Sequence, residues 1–162
     1  LNQKCVTYVA RSEQDTILLG ELLGSVLING DFIALAGELG SGKTWFTKGL
    51  ALGLGISPET VITSPSFALM NEYQGRLPLF HMDAYRLDQL SAFLSTGLEE
   101  YFYEEGVVAM EWADRWPEIL PGKRVTVRIT VLDEVSRRIA LFGSHPRAIQ
   151  ILDELGRELR RE

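Results

Sequence analysis

Strands interleaved with helices, two hairpin patterns and one glycine-rich turn between a strand and a helix predict a single-domain α/β sandwich. The hairpins dilute the parallel character, so the sheet is expected to be mixed, with helices making the outer layers. At 162 residues and 46% hydrophobic content, the chain has apolar material for one core spanning 1–162.

Val6-Thr7-Tyr8-Val9 reads as the first strand. Ser12-Glu13-Gln14-Asp15 resembles a capping box, with an acidic residue at the third helical position. Ile17, Leu18, Leu22, Val26 and Leu27 supply the helical spacing, and Asn29-Gly30 stops that helix. Phe32–Ala36 is an apolar run of the length of a buried strand. A helix from near Lys43 ends near Gly53 or Gly55, followed by a loop over 56–66 with Ser57-Pro58 and Ser64-Pro65 as breakers. Phe67–Tyr73 and Leu77–Asp83 flank Gln74-Gly75-Arg76 as a hairpin, and a helical stretch from Asp88 to Phe102 breaks near Gly97. Val107–Met110 is a short strand ending at Glu111. Arg124–Leu132 and Arg137–Phe142 form the second hairpin, and Ala148, Ile151, Leu152, Leu155 and Leu159 share one face of a final helix.

Gly37-Glu38-Leu39-Gly40-Ser41-Gly42-Lys43-Thr44 fits Gly-x-x-x-x-Gly-Lys-Ser/Thr without a mismatch. A strand before it and a helix after it supply the geometry in which backbone N–H groups and a helix N-terminus converge on phosphate. The fold expected is therefore P-loop NTPase-like, in three layers. Lys43 neutralises the β/γ charge and the Thr44 hydroxyl ligates Mg²⁺. A hydrolytic site also needs an acidic residue at a strand end. Both Leu77–Asp83 and Val107–Glu111 end in one, and composition does not divide the roles between them. His81 and Pro78 suit the first of these to an edge strand.

The net charge of −6 argues against unaided binding to nucleic acid, DNA included. Residues 1–122 carry 7 Lys/Arg against 16 Asp/Glu, whereas residues 123–162 carry 9 against 6, so the basic end could meet a nucleotide, a tRNA or an acidic protein. One cysteine and two histidines argue against a disulfide or a transition-metal site. No stretch approaches the ~18 apolar residues of a membrane span, and no signal-peptide layout is present, so a cytoplasmic protein is expected.

The ordered set of Gly37–Thr44, Ser64-Pro65-Ser66-Phe67, Glu72-Tyr73, His81-Met82-Asp83-Ala84-Tyr85-Arg86-Leu87, Gly97–Phe102 and Glu111-Trp112 resembles the TsaE (YjeE) family of small bacterial P-loop ATPases. The resemblance implies an ATPase serving the synthesis of tRNA N6-threonylcarbamoyladenosine. It would associate with a TsaB–TsaD heterodimer and meet tRNA indirectly, through that complex. Carried over by position, Glu38, Leu39, Gly40, Ser41, Gly42, Lys43 and Thr44 would hold ATP, with Thr44 and Glu111 at Mg²⁺. Asp83 would support hydrolysis, Ser66 would supply a hydroxyl where threonine is more usual, and Glu13 and Thr16 would lie near the base. Trp112 would pack near the site, and beyond residue 120, where the resemblance is one of pattern alone, Arg137 or Arg138 would contact nucleotide. Trp45 departs from the family at a position where a second threonine is common, and Ala84 where leucine is. The rival reading is a small-molecule kinase, against which stands the lack of an arginine-rich lid. A GTPase is disfavoured because no Asn-Lys-x-Asp motif occurs.

Overall fold

The computed structural model describes residues 2–38, 40–65 and 67–162. Among the sequence's site candidates, Leu39 and Ser66 lie outside the described residues. The chain runs β1 (Lys4–Ala10), α1 (Glu13–Ser25), β2 (Phe32–Ala36), α2 (Lys43–Gly53), β3 (Met70–Tyr73), β4 (Leu79–Asp83), α3 (Leu90–Leu94), a 3₁₀ segment (Leu98–Tyr103) and β5 (Val107–Glu111). Two short 3₁₀ turns follow at Ala113–Arg115 and Pro117–Ile119, and then β6 (Val125–Val131), β7 (Arg137–Gly143) and α4 (Pro146–Arg161).

The strands form one seven-stranded sheet in the order β1-β7-β6-β2-β5-β4-β3. β2 lies parallel to β5 and β6, and β5 parallel to β4, while the β3–β4 and β6–β7 hairpins and β1 add antiparallel pairs. The mixed sheet expected from the sequence is therefore present. Alternate residues of β4 and β5 serve opposite layers. Leu79, Val107 and Ala109 join the core under α1, α2 and α4, whereas Phe80, Met82, Val108 and Met110 face a second core with Phe93, Phe102 and Trp116. These are the three layers.

One local expectation is met and two change. The stretch 88–102 makes one short helix and a 3₁₀ segment, divided as expected at Gly97, whose φ is +77°. β4 is an interior strand, fully buried, and not an edge; Pro78 precedes its first residue, so no ladder donor inside the strand is lost. Its histidine bonds Glu111 through Nε2, while the buried Nδ1 has no partner among the described residues. The capping at α1 is shifted: Ser12 Oγ accepts from Asp15 N (3.1 Å), but Asp15 Oδ2 accepts from Arg11 N (2.9 Å), one residue outside the box.

The buried face of α1 is Thr16, Leu19, Gly20, Leu23 and Gly24, rather than the larger residues Ile17, Leu18, Leu22 and Val26. Glycines make this face because α1 and α2 nearly touch. A Cβ on Gly49 would lie 2.1 Å from the Ile17 carbonyl oxygen, and one on Gly20 would lie 2.4 Å from that of Phe46. Arg76 closes the far end of the pair, donating to the Leu27 (3.1 Å), Gly24 (2.9 Å) and Gly53 (3.3 Å) carbonyls at the helix ends. Arg147 is bound bidentately to the buried Asp31, at 2.9 and 2.7 Å, and so ties α4 to the turn before β2. Among the described residues no helix is long and apolar enough to cross a membrane.

Gly49→Ala decides between two opposing terms. Alanine favours a helix by roughly 0.5–1 kcal/mol, but here the methyl would meet backbone that cannot step aside without parting the helices. A net loss of about 1–3 kcal/mol is expected, measured by urea unfolding; a gain would show that the helix contact is looser than described.

Candidate nucleotide site

Parallel strands put their C-terminal ends on one edge of a sheet, where ligands of such folds bind. Here β2 leads into the Gly37–Thr44 loop, and β4 and β5 end in register at Asp83 and Glu111. Both carboxylates are buried, at 5% and 3% exposure, so the groups around them must compensate their charge. His81 Nε2 is 2.6 Å from Glu111 Oε2, and Ser64 Oγ donates to the same oxygen at 3.1 Å. Ser64 Oγ is also 3.0 Å from Thr44 Oγ1, the first hydroxyl of α2. One serine thus bridges the two residues expected at the metal. The sequence points to the hydroxyls of the Ser64–Phe67 turn and takes Ser66 from it as the nucleotide contact; the structure puts Ser64 between Thr44 and Glu111.

The loop shows why its glycines are required. Gly42 caps α2 at φ +112°, a conformation that L-residues with a Cβ rarely adopt. A Cβ on Gly37 would meet Ser41 Oγ at 2.7 Å and the Ile129 carbonyl at 2.8 Å. No side chain caps α2 and no acidic residue occupies its first turn, so its N-terminal N–H groups and dipole face the cleft. Lys43 Nζ donates to the Gly37 carbonyl and to that of Glu38 (3.0 Å), and lies 4.4 Å from the centre of the Trp112 ring. Burial pushes the Lys43 pKa down, against the pull of Glu111, Asp83 and Asp114. Ser41 Oγ is buried and has no partner among the described residues.

Around this loop opens a cleft of about 760 Å³, in the range of ligand pockets. It brings together Glu13, Thr16, Gly40–Thr44, Ser64 and Glu111. Arg137 also lines it and donates Nε to the Ser41 carbonyl at 2.8 Å, whereas Arg138 is not among its walls. Asp83 stands behind Glu111, outside the walls, with its Oδ1 accepting from Tyr85 N (2.9 Å). Sequence reasoning did not single out Arg11, Glu134, Val135 or Arg115. Arg115 donates to the carbonyls of Ala84 (2.9 Å), Tyr85 (2.9 Å) and Leu87, fixing the segment after Asp83. Arg86 stacks 4.0 Å over the exposed Phe67 ring and joins the two motif segments.

The donors suit a phosphate-bound Mg²⁺. Among the described residues no cluster of three His, Cys, Asp or Glu could hold a metal ion alone. A cation at Thr44 and Glu111 would complete its shell with phosphate oxygens and water, as Mg²⁺ characteristically does.

A family model described as threonylcarbamoyl adenosine biosynthesis protein TsaE matches residues 10–139. The chain belongs to the TsaE family. A Treponema pallidum relative, named tRNA threonylcarbamoyladenosine biosynthesis protein TsaE, is 47% identical over 133 residues, covering 82% of this chain and 97% of its own. A Bacillus subtilis protein of the same name is 39% identical over 145 residues, covering 89% of each. The crystal structure of Bacillus subtilis YdiB superposes with a TM-score of 0.84 at 34% identity, covering 98% of both chains. This TsaE member therefore shares its whole architecture with a solved protein.

Burial raises the Asp83 pKa above the ordinary carboxylate value; the Tyr85 N–H lowers it, Glu111 raises it, and His81 and Lys43 lower it. The folded chain then holds this proton more tightly than the unfolded chain, so stability falls as pH climbs from the ordinary carboxylate value through the raised one. In ligand-free protein, Asp83→Asn is expected to raise the melting temperature at pH 7 by about 2–4 °C. That gain should vanish below about pH 4, where the carboxyl is protonated in both states. A pH-independent change would mean that charge burial is not the cause.

Proposed function

We propose that this chain binds Mg-ATP in the cleft and hydrolyses it, as the ATPase of a tRNA threonylcarbamoyladenosine-forming machinery in the cytoplasm. The observation that carries the reading is the convergence of Thr44, Ser64 and Glu111 beside Lys43 at the uncapped start of α2. The loop N–H groups and Lys43 would bind the phosphates, with Lys43 exchanging its bonds to the Gly37 and Glu38 carbonyls for phosphate oxygens. Thr44 and Glu111 would hold Mg²⁺, which when bound neutralises charge on the β- and γ-phosphates. His81 holds the Glu111 carboxylate, and Asp83, with its raised proton affinity, is suited to orient a water or take its proton.

The names of the relatives place those proteins in threonylcarbamoyladenosine synthesis. By extension, slow turnover alone and stimulation by a TsaB–TsaD heterodimer are proposed here, with tRNA engaged through that complex. Lys43→Ala should lower ATP turnover by about 100-fold or more. Glu111→Gln should weaken Mg²⁺-dependent hydrolysis more than nucleotide binding. The deciding experiment is multiple-turnover tRNA modification by purified TsaB and TsaD, with and without this chain. Equal modification in both arms overturns the pathway role, and phosphate appearing on an added metabolite instead of in water favours a kinase.

A further inference from the structure

Glycine loop, lysine, threonine and glutamate share the cleft with residues of a different character. Trp45 follows Thr44 on α2 and is turned about 100° from it around the helix axis. Thr44 reaches Ser64, and Trp45 lines the same cleft along with Ser12, Glu13, Gln14 and Val135. Its side chain is 43% exposed, and among the described residues no aromatic ring or cation pairs with it. Trp112, Trp116 and Tyr85 each do have such a partner. Trp45 is thus a large apolar surface left open inside a cleft.

Val135, 63% exposed, lines the same space from the turn between β6 and β7. That turn is not a loose tip. Asp133 Oδ1 accepts from Val135 N (3.0 Å) and Ser136 N (2.8 Å), and Arg137 donates Nη1 to the Asp133 (2.9 Å) and Ser136 (3.0 Å) carbonyls. The Nε of the same arginine reaches the Ser41 carbonyl, so the turn is fastened to the phosphate loop. An aromatic face and an aliphatic side chain thus line the cleft that the phosphate loop opens into.

We propose that Trp45 is the stacking platform for the base of the bound nucleotide, with Val135 closing over the other side. The proposal rests on the Mg-ATP reading of this site and adds a residue that the family pattern does not supply, because the threonine more usual at this position has no ring. An indole offers a flat, polarisable surface to a purine, and removing such a ring typically weakens base binding about 5- to 150-fold. Discrimination then falls on the presence of the base rather than on the phosphates.

The test uses the full chain and two ligands, Mg-ATP and Mg-tripolyphosphate, the second lacking a base. Calorimetric titration of Trp45→Thr is expected to show ATP affinity reduced about 5- to 150-fold, with tripolyphosphate affinity within about twofold of the parent. Trp45→Phe should restore most of the loss. In the parent protein ATP should quench tryptophan emission more than tripolyphosphate does, and that excess should disappear in Trp45→Phe. Unchanged ATP affinity in Trp45→Thr overturns the platform; if Lys43→Ala still loses both ligands, the Mg-ATP reading survives it. Equal weakening of both ligands overturns it too, by showing damage to the phosphate loop. Loss of TsaB–TsaD stimulation with ATP affinity intact would make Trp45 a docking residue instead. If the parent protein binds neither ligand, both readings fail.

Discussion

The buried carboxylate of Glu111 is the constraint on which the site depends. An ionised carboxylate at 3% exposure is costly unless it is hydrogen-bonded and near a cation. Each compensating group comes from a different element: His81 from the neighbouring parallel strand, Ser64 from the loop after α2, and Lys43 from the first turn of that helix. Satisfying one charge therefore fixes the positions of β4, β5, the 56–66 loop and the phosphate loop relative to one another. The register pairing of Asp83 with Glu111 sets a second carboxylate beside the first, and burial, with the neighbouring negative charge adding to it, makes Asp83 hold its proton more tightly. The strand ends are thus arranged for chemistry at a cost in stability, the usual compromise at functional sites.

A second constraint acts from the helices. The glycine contacts between α1 and α2 bring their backbones closer than any pair of side chains would allow. The start of α1 stands in the cleft wall because of that approach, with Arg11, Ser12, Glu13 and Gln14 facing the same space as Trp45. Two constraints therefore shape the cleft. Charge compensation around Glu111 sets the strand ends, and backbone contact between helices sets the wall contributed by α1.

Much of this was legible in the sequence because it depends on local chemistry. The glycine loop, the strand ends at Asp83 and Glu111 and both hairpins follow from residue type and spacing, and all lie where expected. What escaped depends on contact at a distance. The buried face of α1 was misread because Gly20 and Gly24 score as neither apolar nor large, yet only they permit the approach to α2. β4 was expected at an edge because a histidine and a proline weigh against an interior strand; its partner lies 30 residues away at Glu111. Arg115 escaped for the same reason, and the turn at Ser64–Phe67 did not show which of its hydroxyls would meet Glu111, since both roles reside in partners on other elements.

Lys43 and Trp112 are held by groups of the site itself. The ammonium is bonded to two carbonyls of its own loop and rests over the Trp112 ring, while burial lowers its proton affinity. Trp112 adopts φ +62°, a conformation unusual for a bulky residue and found chiefly where surrounding structure imposes it. Tyr85 packs on the same ring at 5.2 Å and Arg115 lies 5.3 Å above it, so the strained residue is clamped by the segment that follows Asp83. A phosphate arriving at the loop would draw Lys43 off its carbonyls and away from the ring. The clamp would then lose one of its members at the moment the site fills. If the chain binds phosphate as proposed, Trp112 would link that event to Tyr85 and Arg115, and through them to the backbone beside Asp83.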